Sequence, residues 1–141
     1  MTTMDKLPAS SDLHAFTRLF VRERLGCGCP DELLDRIEID ARPGLPPMTQ
    51  LRVGGRLLVH VRACPEPSRL PHLLAGWLAD GVAQRDVMGF NRFRLVLIVT
   101  DPDAVRPNAE ALFASWGGDD RTHLHLLRSD EIGPLLPTGP V

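Results

Sequence analysis

Two of the chain's three cysteines lie one residue apart in Leu25-Gly26-Cys27-Gly28-Cys29-Pro30-Asp31-Glu32, between two segments that read as helices. A thiol beside a helix start feels the positive end of the dipole, which favours the nucleophilic thiolate. Cys29, directly before Pro30, has that position, and Asp31 and Glu32 oppose it. A Cys27–Cys29 disulfide would close a small strained ring of the labile, oxidising kind. The first chemistry to expect is therefore reversible thiol redox, against the plainer role of one buried turn thiol with a bystander next to it. Metal binding is the other candidate. Cys27, Cys29 and Cys64 would supply three thiolates and His60, His123 or His125 a fourth ligand, a set that suits zinc or an iron–sulfur cluster. Structural zinc sites usually space paired cysteines more widely than this.

These residues must be positioned by the elements around them. Leu13, Phe16, Leu19 and Phe20 repeat at helical spacing, after N-cap oxygens at Ser10-Ser11-Asp12, and Gly26 is suited to end that helix. Pro30-Asp31-Glu32 opens a short second helix with Leu33, Leu34 and Ile37 inward. Ile37-Glu38-Ile39-Asp40 alternates as a strand before a proline-rich loop that runs to Thr49. From Gln50, two strands flank Gly54-Gly55, the glycine pair that supplies the positive φ angles of a hairpin turn. Leu57, Val59, Val61 and Ala63 share one face of the second strand, and Leu58, His60, Arg62 and Cys64 the other.

Ser68 is the expected cap of a long helix carrying Leu70, Leu73, Leu74, Trp77, Leu78 and Val82. Phe93 to Thr100 is an apolar run, the mark of a strand covered on both faces. A further helix on Val105, Ala109, Leu112, Phe113 and Trp116 ends at Gly117-Gly118, and Thr122 to Leu127 forms a last strand with His123 and His125 on one face. Strand–helix–strand units favour right-handed parallel crossovers. The expected fold class is α/β, a single-domain mixed sheet of about five strands with helices on its faces. Residues 1–10 read as a flexible leader, 11–136 as the domain and 137–141 as a frayed tail. Ligands of such sheets gather at the carboxyl ends of the parallel strands. Asp101, Arg128 and Asp130 are candidates there, beside Cys64.

Composition narrows the classes. The 141 residues suit one core, and 43% hydrophobic with 24% charged residues is ordinary for a globular chain. A net charge of −2 with the single lysine Lys6 argues against a nucleic-acid or general polyanion binder. No run reaches membrane-spanning length and the start lacks a signal-peptide pattern, so a cytoplasmic protein with reduced thiols is expected.

The segment from Phe20-Val21-Arg22-Glu23 through Leu25-Gly26-Cys27-Gly28-Cys29-Pro30-Asp31-Glu32 resembles an uncharacterised family of small bacterial and archaeal proteins with a Leu-Gly-Cys-x-Cys-Pro stretch after their first helix. That resemblance implies no activity and transfers no residue role. In element order alone, the chain is also similar to restriction-like nucleases. Their hydrolysis needs an acid on one strand and an acid-x-lysine on the next to hold a metal and activate water. The hairpin strands here carry Arg52, Arg56, His60 and Arg62 with no Asp, Glu or Lys, so an inactive relative is the most that this order implies. Dinucleotide, phosphate-loop and nucleophile-elbow signatures are missing. Against the thiol hypotheses stands a non-catalytic partner-binding or homodimerising domain, using an exposed hairpin or edge strand.

Overall fold

The computed structural model describes residues 10–26, 30–42 and 47–137. The leader, Cys27 and Cys29, the 43–46 stretch and the end of the tail lie outside the described residues, as do the cap side chains at 10–12.

Helix α1, Ser10–Leu19, continues as a π-helical turn over Phe20–Arg24, and Gly26 follows at φ 67°. The short α2 is Asp31–Leu34, held to α1 by ion pairs of Arg18 with Asp35 and Arg22 with Asp31. Strands β1 (Ile37–Arg42), β2 (Met48–Val53) and β3 (Leu57–Ala63) come next. Helix α3 (Leu70–Met88), β4 (Arg92–Ile98), α4 (Pro102–Trp116), β5 (Thr122–Leu127), the one-turn α5 (Ser129–Ile132) and a 3₁₀ turn over Gly133–Leu135 complete the order.

The five strands stand in chain order across one sheet. β1, β2 and β3 are antiparallel, and β3, β4 and β5 are parallel. The mixed α/β sheet and its parallel half are thus as expected. The hairpin turn is made as its sequence predicts. Gly54 and Gly55 take φ of 59° and 68°, and Arg56 N–H donates to Val53 O at 3.0 Å. Two local expectations are corrected. β2 begins at Met48, ahead of Gln50, because the ladder with β3 extends to a Met48–Arg62 pair. Ser68 does not cap α3: a 3₁₀ turn over Pro67–Arg69 leads in, and Arg69 occupies the N-cap without a side-chain bond. Pro67 presets the φ of that turn.

Each face of the sheet buries its own core. On one, Leu13, Phe20 and Val21 of the first helical segment meet Leu51, Val59, Val61 and Val96. On the other, Leu70, Leu74 and Leu78 of α3 and Val105 and Ala109 of α4 meet Leu58, Leu95 and Leu97. β4 contributes to both, which is why its sequence is a continuous apolar run. No described helix is long and apolar enough to cross a membrane.

Candidate binding site

Cys64, the one described cysteine, follows β3 and is 2% exposed. Its thiol donates to Glu66 O at 3.7 Å, and burial pushes its pKa up, away from thiolate chemistry. His60 projects from the same face of β3, but four residues of strand place it about 13 Å away along the chain, with Arg62 between. His123 and His125 belong to the opposite face of the sheet. The fold therefore does not bring Cys64 together with any of the three histidines. Among the described residues no three His, Cys, Asp or Glu side chains are grouped to hold a metal ion.

The carboxyl ends of β3, β4 and β5 do meet in a shallow cleft lined by Cys64, Thr100, Arg128 and Asp130. Asp101 is not in its lining, and the charged groups at this edge of the sheet are occupied locally. Asp101 caps α4 by accepting from Ala104 N–H at 3.3 Å, Arg128 Nε donates to Asp130 at 3.2 Å, and Arg128 N–H donates to Glu131 at 2.9 Å. These are capping and turn roles, as short polar side chains at helix starts commonly play.

A denser polar cluster lies on the α3 face of the antiparallel half. Strand register sets it up: Asp40 pairs with Gln50 and Gln50 with His60, while Met48 pairs with Arg62. Gln50 and His60 are fully buried. His60 Nε2 lies 3.1 Å from Gln50 Oε1, an oxygen that only accepts, so the imidazole proton sits on Nε2 and Nδ1 carries a lone pair. Burial, then the neighbouring Arg62 cation, lowers the His60 pKa to about 4, so the ring is neutral at pH 7. Phe93 packs edge-to-face on that ring at 5.0 Å between centroids. Arg62 donates to Asp80 at 3.2 Å and lies over the Trp77 ring at 5.3 Å, and Asp80 also accepts from Gln84 at 3.2 Å. At the outer edge Arg52 pairs with Asp40 at 3.1 Å and Glu38 at 3.5 Å.

Three polar atoms at the heart of this cluster have no partner: Gln50 Nε2, His60 Nδ1 and Arg62 Nε. Two are donors and one is an acceptor. Leaving such groups buried and unpaired costs about 1–3 kcal/mol each, so each calls for a partner, and the Gln84 side chain is the nearest polar neighbour of the His60 ring besides Gln50. Arg62 is 10% exposed at the side chain and Asp80 47%, so the cluster reaches the surface at Asp80. Gln50 and Asp80 were not evident as site residues. Gln50 was detectable in principle, since the Gly54-Gly55 turn sets the register that pairs it with His60.

His123 and His125 each accept a hydrogen bond from an arginine of β4 on the other face. Comparison with protein-family models, curated proteins and solved structures returns no match.

Proposed function

We propose that this chain is a non-catalytic binding domain, and that its ligand contacts are Gln50, His60 and Arg62. The observation that carries the reading is the trio of buried, unpartnered polar atoms on neighbouring strands. Together they ask for a small polar molecule with an oxygen to accept from Gln50 Nε2 and Arg62 Nε, and a hydroxyl to donate to His60 Nδ1. Polyols, sugars and hydroxy acids have that pattern. The Arg62–Trp77 stack and the Asp80 ion pair hold the guanidinium in place beside it.

The element order shared with restriction-like nucleases points the same way. Hydrolysis on such a sheet uses carboxylates and a lysine on adjacent strands, whereas β2 and β3 here carry Gln50 and Arg52, then His60-x-Arg62. Those positions offer N–H donors and an imidazole, which recognise a ligand without holding a metal.

The test pairs binding with stability in a Gln50→Leu/His60→Leu variant. A screen of hydroxyl-rich fragments should shift the Gln50 side-chain amide resonances of the native chain and leave the variant unaffected. The variant should also be more stable by about 1–3 kcal/mol, because apolar groups then replace a half-satisfied polar cluster. A fall in stability, or fragment binding that survives both substitutions, would overturn the reading.

A further inference from the structure

On the α1 face, at the amino ends of the last two strands, Arg92 and Arg94 of β4 stand beside His123 and His125 of β5. The parallel register pairs Arg94 with His123 and Val96 with His125, so all four side chains lie on the same face. Further along that face Val96, Ile98 and Leu127 enter the core beneath α1. Toward the amino ends Arg92 and Arg94 replace the apolar side chains on β4.

Hydrogen bonding fixes what each group offers. Arg94 Nη1 donates to His125 Nε2 at 2.9 Å, and Arg92 Nη1 lies 3.5 Å from His123 Nε2. A guanidinium only donates, so both imidazoles accept through Nε2, are neutral, and keep N–H on Nδ1. Burial and the arginine charges lower both imidazole pKa values, that of His125 to about 4, which agrees with this assignment.

Among the described residues no carboxylate forms an ion pair with Arg92 or Arg94. The acids whose charge reaches the group are Asp119 and Asp120, which act on His123 against the two arginines. Asp119 is already taken by Arg85, Thr122 and the Arg121 N–H. Arg94 is half-buried, and its Nε is without a partner. Two guanidinium charges side by side, one partly desolvated and neither compensated, are costly unless an anion completes them.

We propose that Arg92, Arg94, His123 and His125 form an oxyanion site that takes a phosphate group, as free phosphate or as the monoester of a small molecule. Every group in it is an N–H donor. Strands about 4.8 Å apart, with successive same-face residues about 6.6 Å apart, frame a patch the size of one tetrahedral anion. A single patch on one strand pair, in a chain with one lysine and a net charge of −2, fits one phosphate better than the run of phosphates of a nucleic acid. This site is on the opposite face from Gln50, His60 and Arg62, so it stands or falls independently of that cluster.

Titrating inorganic phosphate into the native chain at pH 7 and low salt, with imidazole resonances as readout, tests the proposal. Saturable shifts of His123 and His125, with a rise of about one unit in the His125 pKa as the anion binds, are expected. Arg94→Gln should weaken phosphate binding by about tenfold or more without lowering the melting temperature, since it removes an unpaired cation. If that variant fails to fold, the exposed Arg92→Gln serves in its place. Binding of a sugar phosphate more tightly than inorganic phosphate identifies a monoester ligand, and equal binding identifies free phosphate. Imidazole resonances that do not respond, an Arg94→Gln chain with native affinity, or tighter binding of an oligonucleotide would each overturn the proposal. Gln50→Leu/His60→Leu should bind phosphate as the native chain does.

Discussion

Arg85 is 1% exposed, an uncommon place for a guanidinium, and its surroundings account for it. It donates to both oxygens of Asp119, at 3.1 and 2.7 Å, to Thr122 Oγ1 at 3.3 Å and to Asp86 at 3.0 Å. Asp119 in turn accepts from the Thr122 hydroxyl at 2.8 Å and from Arg121 N–H at 3.0 Å. These bonds, led by Arg85, hold its carboxyl far below the usual carboxylate range. The pair fastens the end of α3 to the turn that enters β5, and so to the strand that carries His123 and His125. Asp119→Ala leaves Arg85 buried without its counter-charge. A loss of about 2–3 kcal/mol in urea unfolding is expected, less than for a fully enclosed pair because Asp119 is partly open to water. Arg85→Met, which removes the charge and keeps the stem, should cost less. Equal losses would mean that the bare buried guanidinium is not what makes Asp119→Ala costly.

Between elements, α3 comes close to β4 at Gly81. A Cβ there would meet the Phe93 ring at 1.9 Å. Phe93 fills the space that this glycine leaves, and its edge then supports the His60 imidazole. Gly81→Ala must push Phe93 aside, at about 1–3 kcal/mol, more than the helix-propensity gain of about 1 kcal/mol returns. Gly76, in the same helix, has nothing within 4 Å of the equivalent position. Gly76→Ala should therefore stabilise by about 0.5–1 kcal/mol, and thermal melts of the two variants should shift in opposite directions. The Gly81 variant should also move the His60 ring resonances, which Gly76→Ala should leave unchanged.

For the molecule as a whole, two neutral imidazoles on opposite faces of one sheet make acid the vulnerable direction. The His60 and His125 pKa values stand at about 4 in the folded state, lowered chiefly by burial, against 6.5 for the free side chain. Between those pH values the unfolded chain binds protons that the folded chain refuses, so stability rises with pH through this window and is fully present above it. From pH 7 to pH 5 each should remove about 1–2 kcal/mol, read as a drop in the urea midpoint, with little change from pH 7 to pH 8. His60→Gln should flatten that slope by about half. The Asp119 contribution is lost only at lower pH, below the ordinary carboxylate range.

What the sequence determined by itself was local. The α3 stripe from Leu70 to Leu78, the apolar run of β4 and the positive-φ pair Gly54-Gly55 each carry their period or backbone requirement within a few residues, so elements, faces and the parallel half of the sheet could be read. Period-two alternation alone put His60, Arg62 and Cys64 on one face of β3, and His123 and His125 on one face of β5. Tertiary structure decided which of these residues meet. Gln50 with His60 depends on hairpin register, Arg94 with His125 on the pairing of β4 with β5, and Arg85 with Asp119 on how α3 lies against the α4–β5 turn. The separation of Cys64 from every described histidine follows from strand rise and from the sheet standing between its two faces. Hydrogen bonds and ion pairs across such distances in the chain leave no periodic trace, because the packing that makes them is set by the whole sheet and the helices laid on it.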